Sequence, residues 1–489
     1  MTARPDPSLP PERFAGLTAD SRQVRPGWLF AALPGTRVDG AGYIPQALRQ
    51  GASAILCAPG VPEARGLGPD IRVIVDENPR RRLALMAAAH YGAQPASLLL
   101  VTGTNGKSSV ADFARQLWSL DGHAAASVGT LGVVVSGLEE TLPLAGGGLT
   151  TPDPVLLHAT LAALKTHGVD RAALEASSHG LDMGRLDGVA PVAAALTNIS
   201  RDHLDYHGDM DAYRAAKLRL FTDLLPSGGV AVVNRAIPEH DAVAAIAARR
   251  GQRLLTYALD GAADIGCRYL AARPRGFDAA LTLFGRTLEV SLPLAGRFQV
   301  ENALCALALV VAAGADPARA APLLARLASV PGRMQPAAAS GPGARVFVDY
   351  AHTPDALETA LTALAGHAPG RLHVLFGCGG DRDRGKRPLM GAAAARLADV
   401  CIITDDNPRH ESPAAIRAEI LAACPGGVEI PGRRAAIQAA LAGLGPEDLL
   451  LVAGKGHERE QIIGDTRHPF DDLQIIRDML AADATGDAR

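Results

Sequence analysis

Little in this 489-residue chain points to membranes, nucleic acid or an oxidising compartment. Its formal net charge is only −3, so no broad field attracts phosphodiester backbones or anionic lipid. The longest apolar run, around residues 303–313, is too short to span a bilayer and reads as a core helix. The opening residues, MTARPDPSLPPERF, hold no apolar stretch of the kind a secretion signal needs, so a cytoplasmic protein is expected. The cysteines at 57, 267, 305, 378, 401 and 424 are scattered, without a Cys-x-x-Cys pair, and read as reduced thiols. The most telling shortage is lysine: five residues among 48 Lys and Arg. A chain that draws so freely on arginine for positive charge keeps lysine where a guanidinium will not serve. The five are Lys107, Lys165, Lys217, Lys386 and Lys455, and only Lys165 lies in an unremarkable helical stretch.

The length suits two to four domains. Residues 1–95 carry weak signals at 28–32, 44–49 and 71–75, and a helix over 80–91. Residues 96–330 open on the apolar run 98–101 and continue with buried-strand candidates at 172–175, 192–197 and 229–234, separated by helical patterns. That alternation predicts a parallel sheet flanked by helices, followed by alternating strands near 281–292. Residues 331–489 repeat the theme, with strands at 346–349, 373–376, 400–404 and 449–452, each followed by a polar loop and a helix. This is a second doubly wound α/β unit, whose ligands should meet the carboxyl ends of the strands.

The run Gly103-Thr104-Asn105-Gly106-Lys107-Ser108-Ser109 follows the 98–101 strand directly. A strand, a glycine turn, then Lys-Ser opening a helix is a cradle for a nucleoside triphosphate. Backbone N–H groups meet phosphate oxygens, Lys107 adds charge, and Ser108 offers a hydroxyl to Mg²⁺. Val101 stands where the commoner form of this loop has its first glycine. Glu175 ends another strand; it is either a metal-holding carboxylate or a simple strand cap. The loop 197–208 packs two Asp, two His and an Arg, so His203 is a candidate ligand for a second metal or one member of a solvated loop. Lys217 lies in a helical pattern over 213–221, where a surface ammonium is the plain reading. Beside a metal, a carbamate on that nitrogen would serve better than a cation. In the last unit, charged loops begin at Asp349, Gly377, Thr404 and Gly454. Their mixture of arginine and carboxylate suits a zwitterion, unless they form a generic solvated rim.

Taken together and in order, TGTNGKSS, TTPDP, EASSHGL, TNISRDHLDYHGD, YRAAK, GRFQVENALCA, VPGRM, VDYAHTPDAL, GCGGDRDRGKRPLMG, TDDNPR and GKGHE resemble the Mur ligases over nearly the whole chain. Within that family they are most similar to the branch that adds diaminopimelate. The resemblance implies three domains: a UDP-sugar-binding one over 1–95, a central P-loop ATPase over 96–330 and a Rossmann-like amino-acid-binding one over 331–489. It implies ATP and Mg²⁺ as cofactors, and an amide bond made through an acyl phosphate. Lys107, Glu175, His203 and Lys217 would be catalytic. Ser108, Glu175, His203 and Lys217 (as its carbamate) would hold metal. Besides Gly103–Ser109, the residues Asn302, Arg333 and Asp349 match nucleotide positions. Ser21, Thr36, Arg37 and Val38 match UDP-sugar positions, and Thr150, Thr151, Ser177 and Arg185 match positions for the muramoyl dipeptide. Arg382, Asp406, Asn407, Pro408, Arg409, Gly454 and Glu458 match those for the incoming meso-diaminopimelate, where Arg409 can clamp the carboxylate that lysine lacks. The expected partners are thus UDP-N-acetylmuramoyl-dipeptide and diaminopimelate, with a monomeric enzyme and no nucleic acid. Three departures stand out. Ser108 and Ser109 replace a threonine pair, Met183 replaces a glutamine, and residues 234–237 lack an acidic pair. The rival readings are a lysine-adding Mur ligase, a folylpolyglutamate synthase-like ligase, and a non-catalytic ATP-binding scaffold.

Overall fold

The structure, a computed structural model, describes residues 14–486 apart from 36–37, 138–148, 274–275 and 339–344. The chain forms two compact units. One is built from residues up to 266 together with 304–323, the other from 267–303 together with 324 onward. The chain crosses between them three times: within the strand Ile265–Arg273, within the helix Arg297–Ala312 and after Leu323.

Unit 1 begins with a four-stranded parallel sheet of Leu17–Thr18, Leu29–Ala32, Ala54–Cys57 and Arg72–Val75. Successive side chains alternate between its faces. Leu29, Ala31, Ala54 and Leu56 pack with Leu83 and Met86 of the helix Pro79–Tyr91, while Phe30, Ala32, Ile55 and Cys57 pack with Ile44 and Ala47 of the helix Ile44–Arg49. Both faces are therefore apolar, as a parallel sheet requires.

The larger sheet of unit 1 places Ser97–Thr102 at its centre. On one side lie Arg171–Glu175, Ala125–Gly129 and Gly132–Ser136; on the other lie Ala193–Leu196, Val230–Asn234 and Arg253–Ala258. All pairings are parallel except the last hairpin, Ala125–Gly129 with Gly132–Ser136. The order jumps at the central strand, and an open parallel sheet leaves its crevice at such a jump, outside the carboxyl ends. The helix Lys107–Leu120 lies against the sheet through Val110, Phe113, Ala114 and Leu117, spaced for one helical face.

Unit 2 contains a sheet ordered Gln335–Pro336, Val346–Asp349, Leu449–Ala453, Leu372–Phe376, Val400–Ile403 and Val428–Glu429, parallel beyond its first pair. Alternation again gives two cores. Phe347, Val374, Phe376, Ile403 and Leu451 face one layer; Val348, Leu375, Ile402, Leu450 and Val452 face the other. The hairpin Gly276–Leu283 with Arg286–Leu292 belongs to this unit, where Phe277 meets the ring of His367 edge-on at 4.8 Å.

Candidate active site

The register of the central sheet decides what surrounds the glycine loop. Val101 pairs with Glu175 on one side and with Ala195 on the other. Glu175 and the 197–200 segment therefore emerge beside residues 103–106. Gly103 has φ 148°, and a Cβ there would lie 1.9 Å from Thr197 Oγ1. Only glycine permits that approach. The two loops are then laced together. Thr104 N donates to Asn198 O at 2.8 Å, and Asn105 N to Asn198 Oδ1 at 3.0 Å. Thr197 Oγ1 donates to Asn105 O at 2.6 Å, and Thr104 Oγ1 to Ser200 O at 3.1 Å, with the Tyr213 hydroxyl 3.0 Å from the same Oγ1. Gly106, at φ 88°, starts the helix Lys107–Leu120 without a side-chain cap. Its first N–H groups are thus left to an anion. Ser109 is buried beneath the turn.

Two lysines meet at this loop. Lys107 Nζ donates to Gly103 O and Thr104 O, both at 2.8 Å. Lys217 Nζ donates to the same Gly103 O at 2.7 Å and sits 4.5 Å from the centre of the Tyr213 ring. The plain alternative of a surface ammonium at Lys217 does not hold: the residue is 1% exposed. Burial pushes its pKa well below the ordinary lysine value, Lys107 pushes it the same way, and Asp202 opposes them. Its helix, Met210–Arg219, begins and ends earlier than the pattern over 213–221 and passes into a π turn over Leu220–Leu224.

Beside the loop lies a set of oxygens. Ser108 Oγ donates to Glu175 Oε2 at 3.0 Å; Thr130 donates to Oε1 through its N–H at 2.8 Å and to Oε2 through its hydroxyl at 3.2 Å. Hard oxygen donors of this kind are what Mg²⁺ selects. Sequence reasoning misses Thr130. Its one signal is Gly129, where a Cβ would stand 2.1 Å from Glu175 Oε1. His203 adopts φ 52°, is half exposed, lies 3.4 Å from Asp202 and 4.8 Å from the His179 ring centre, and neighbours Tyr213. Among the described residues no three His, Cys, Asp or Glu side chains converge as a metal cluster.

The dipeptide candidates adjoin Glu175. Thr130 Oγ1 lies 3.1 Å from Thr150 Oγ1, and Thr151 Oγ1 donates to Glu175 O at 2.8 Å. Ser177 N donates to Thr151 Oγ1 at 2.9 Å, and Arg185 Nη1 to Thr151 O, also at 2.9 Å. In the first sheet, Ser21 and Val38 border a cavity of about 640 Å³ with Asp20, Arg22, Tyr43 and Gln46. Ser21 Oγ donates to Gln46 Oε1 at 3.1 Å. Thr36 and Arg37 lie outside the described residues.

In unit 2 the four charged loops do gather at one sheet edge. Gly454 N donates to Asp349 O at 3.1 Å, and a Cβ on Gly454 would lie 2.8 Å from Asp406 Oδ2. Gly377 presses on the Thr404 carbonyl in the same way, at 2.3 Å. Asn407 Nδ2 donates to Glu458 Oε2 at 2.9 Å. Arg409, at φ 50°, donates from Nη1 to Gly380 O at 2.9 Å, and a Cβ on Gly380 would stand 1.9 Å from Pro408 O. Arg382 is exposed, with Nη1 3.4 Å from Asp381 O. Nearby, Asn302 Nδ2 donates to Gln299 Oε1 at 3.1 Å, Gln299 Nε2 donates to Arg333 O at 3.2 Å, and Arg333 stacks on Tyr350 at 4.7 Å. Asp349 accepts from Met334 N at 2.7 Å, and burial raises its pKa against the pull of Arg333.

Three family models match this chain: "Mur ligase family, catalytic domain" over residues 13–91, "Mur ligase middle domain" over 101–310 and "Mur ligase, glutamate ligase domain" over 332–456. A Caulobacter vibrioides protein named UDP-N-acetylmuramoyl-L-alanyl-D-glutamate–2,6-diaminopimelate ligase is 52% identical over 463 residues, 94% of each chain. The chain belongs to the Mur ligase family. An Agrobacterium fabrum Mur ligase of the same name is 46% identical over 473 residues, 96% of this chain and 93% of its own. A solved structure of a Mur ligase so named superposes with a TM-score of 0.71 at 34% identity, covering 99% of this chain and all of the other. The departures from the Mur ligase pattern have local counterparts. Met183 Sδ accepts from Arg185 Nη2 at 3.2 Å, and Arg235 Nη1 lies 3.0 Å from His240 Nε2.

Proposed function

We propose that the chain is an ATP-dependent amide ligase of peptidoglycan synthesis. It joins meso-diaminopimelate to the D-Glu γ-carboxylate of UDP-N-acetylmuramoyl-L-alanyl-D-glutamate, working in the cytoplasm in three domains divided near residues 95 and 330. The observation that carries this reading is the N-terminus of the helix Lys107–Leu120, which has no side-chain cap and where Lys107 donates to the carbonyl of Gly103. Such a place attracts a dense anion.

In this reading the N–H groups that open the Lys107–Leu120 helix take phosphate oxygens, and Lys107 swings from the loop carbonyls to the terminal phosphate. Thr151, Ser177 and Arg185 hold the dipeptide so that its γ-carboxylate attacks the terminal phosphorus. ADP leaves and an acyl phosphate remains. The diaminopimelate amine, having lost its proton, then attacks the acyl carbon; the C–O bond to phosphate breaks and inorganic phosphate departs. Ser108 and Glu175 have the chemistry to hold one Mg²⁺. His203 and carbamylated Lys217 are assigned to a second by family likeness. Magnesium there supplies neutralisation of the phosphate charge. Burial lowers the pKa of the Lys217 amine, and the neutral amine is the form that attacks CO₂ and then sheds a proton. Arg409 faces the distal carboxylate that distinguishes diaminopimelate from lysine.

The test is ADP release by the full chain with Mg-ATP and the UDP-dipeptide. Turnover with meso-diaminopimelate and none with L-lysine is expected. Turnover with lysine alone would discard the Arg409 argument, and no turnover with either would discard the ligase. Lys217→Ala is expected to lose activity and regain part of it with short carboxylic acids. Full activity without them would remove the carbamate.

A further inference from the structure

Lys455 has no role assigned above, yet its side chain is completely buried in the amino-acid crevice of unit 2. All three of its N–H bonds are spent. Nζ donates to Glu460 O at 2.6 Å, to Glu458 Oε2 at 3.0 Å and to Asn407 Oδ1 at 3.2 Å. Asn407 Oδ1 also accepts from Ile462 N at 3.0 Å, so its two lone pairs are filled by two donors. An amide turned the other way would aim its NH₂ at an ammonium and at an N–H, three donors with no acceptor between them. The lysine therefore fixes which end of the Asn407 amide points inward.

One Nδ2–H of Asn407 goes to Glu458 Oε2 at 2.9 Å, which leaves its second N–H. Glu458 Oε2 is occupied by Asn407 and Lys455, which leaves Oε1. A lone donor next to a lone carboxylate oxygen matches the carboxylate and ammonium of one amino-acid centre. Arginine would not fit here, because a planar fork cannot place three donors around a tetrahedral nitrogen. This accounts for a lysine in a chain that otherwise uses arginine.

We propose that Lys455 is a positioning residue for the amino-acid substrate: it locks Asn407 and Glu458 as a donor–acceptor pair that reads one zwitterionic centre of diaminopimelate. The proposal rests on the reading of this crevice as the diaminopimelate site. Steady-state kinetics of the full chain separate the two ideas. If the unaltered enzyme does not turn over diaminopimelate, the site reading fails before any variant is made. If it does, Lys455→Met is expected to raise KM for diaminopimelate about 10- to 100-fold, the range set by hydrogen bonds to charged groups, with KM for ATP within about twofold. A merely structural lysine would not produce that split. Nor would it couple to Asn407. Lys455→Met combined with Asn407→Ala is expected to cost little more than Asn407→Ala alone, because the lysine acts through that amide. An unchanged diaminopimelate KM in a folded Lys455→Met enzyme, or effects that simply add, would overturn the proposal. Should Lys455→Met not fold, Lys455→Gln decides. It keeps two N–H donors but no charge, and a KM rise of at least about threefold is expected; no rise overturns the proposal.

Discussion

In unit 1 the amino groups of Lys107 and Lys217 donate to one main-chain carbonyl. In unit 2 Lys455, Arg387, Arg417 and Arg433 donate to the carboxylates of Glu458, Glu411 and Glu419, Asp405 and Glu429, and Asp472. A carbonyl is a dipole without net charge, so it orients an amino group without itself offsetting a charge. A carboxylate cancels the charge and holds a shape. The first arrangement suits a highly charged phosphate chain. The second suits a substrate that carries both signs, where loops must be held still and only a few leftover atoms may speak to the ligand.

Breaking each arrangement should therefore have a different signature. The largest effect is expected from Lys107→Met, which should lower kcat/KM for ATP about 10³-fold, as removal of one preorganised charge donor does, with a thermal midpoint almost unmoved. Next is Asp472→Ala. Arg433 and Asp472 are both fully buried and joined by bonds of 2.8 and 2.6 Å. Leaving the guanidinium alone should cost about 3–5 kcal/mol in urea unfolding, while replacing both by apolar residues should recover most of it. Gly103→Ala forces a Cβ against Thr197 Oγ1 and should weaken ATP binding by calorimetry about 100-fold, a loss of site with the sheet intact. The smallest effect concerns His457, whose pKa burial, with help from Arg333 and His352, lowers from 6.5 to about 4. Unfolded, it takes a proton near 6.5; folded, it refuses one until about 4. Stability should then rise with pH across that window and fall as pH drops through it. Thermal melts between pH 4 and 7 should show that slope, and His457→Gln should flatten it by a few degrees.

Much of this architecture is legible in the amino-acid sequence. The strands expected at 346–349, 373–376, 400–404 and 449–452 match Val346–Asp349, Leu372–Phe376, Val400–Ile403 and Leu449–Ala453 closely, because each is a short apolar run closed by polar residues. Gly103–Ser109 is equally plain, being contiguous in sequence. What the chain conceals is what depends on distant pairing. Thr130 reaches Glu175 across 45 residues, and the Thr197–Asn198 lacing reaches Asn105 from more than 90 away. Neither leaves a local pattern. Arg433 sits in a Gly-Arg-Arg run with no apolar pattern to mark it as buried, and Asp472, 39 residues on, pairs with it in the core. Lys217 misleads for the same reason: its helix sets Tyr213 one turn away on the same face but does not show the Gly103 carbonyl, 114 residues back, that takes its amino group.

The distribution of the five lysines carries a practical consequence. Lys217 and Lys455 are buried and Lys107 and Lys386 are partly covered, which leaves Lys165 as the exposed lysine. An amine-directed reagent would meet few lysine targets on this molecule. Mass spectrometry of the labelled peptides could then follow Lys107 individually, and its shielding would report nucleotide occupancy without any engineered probe.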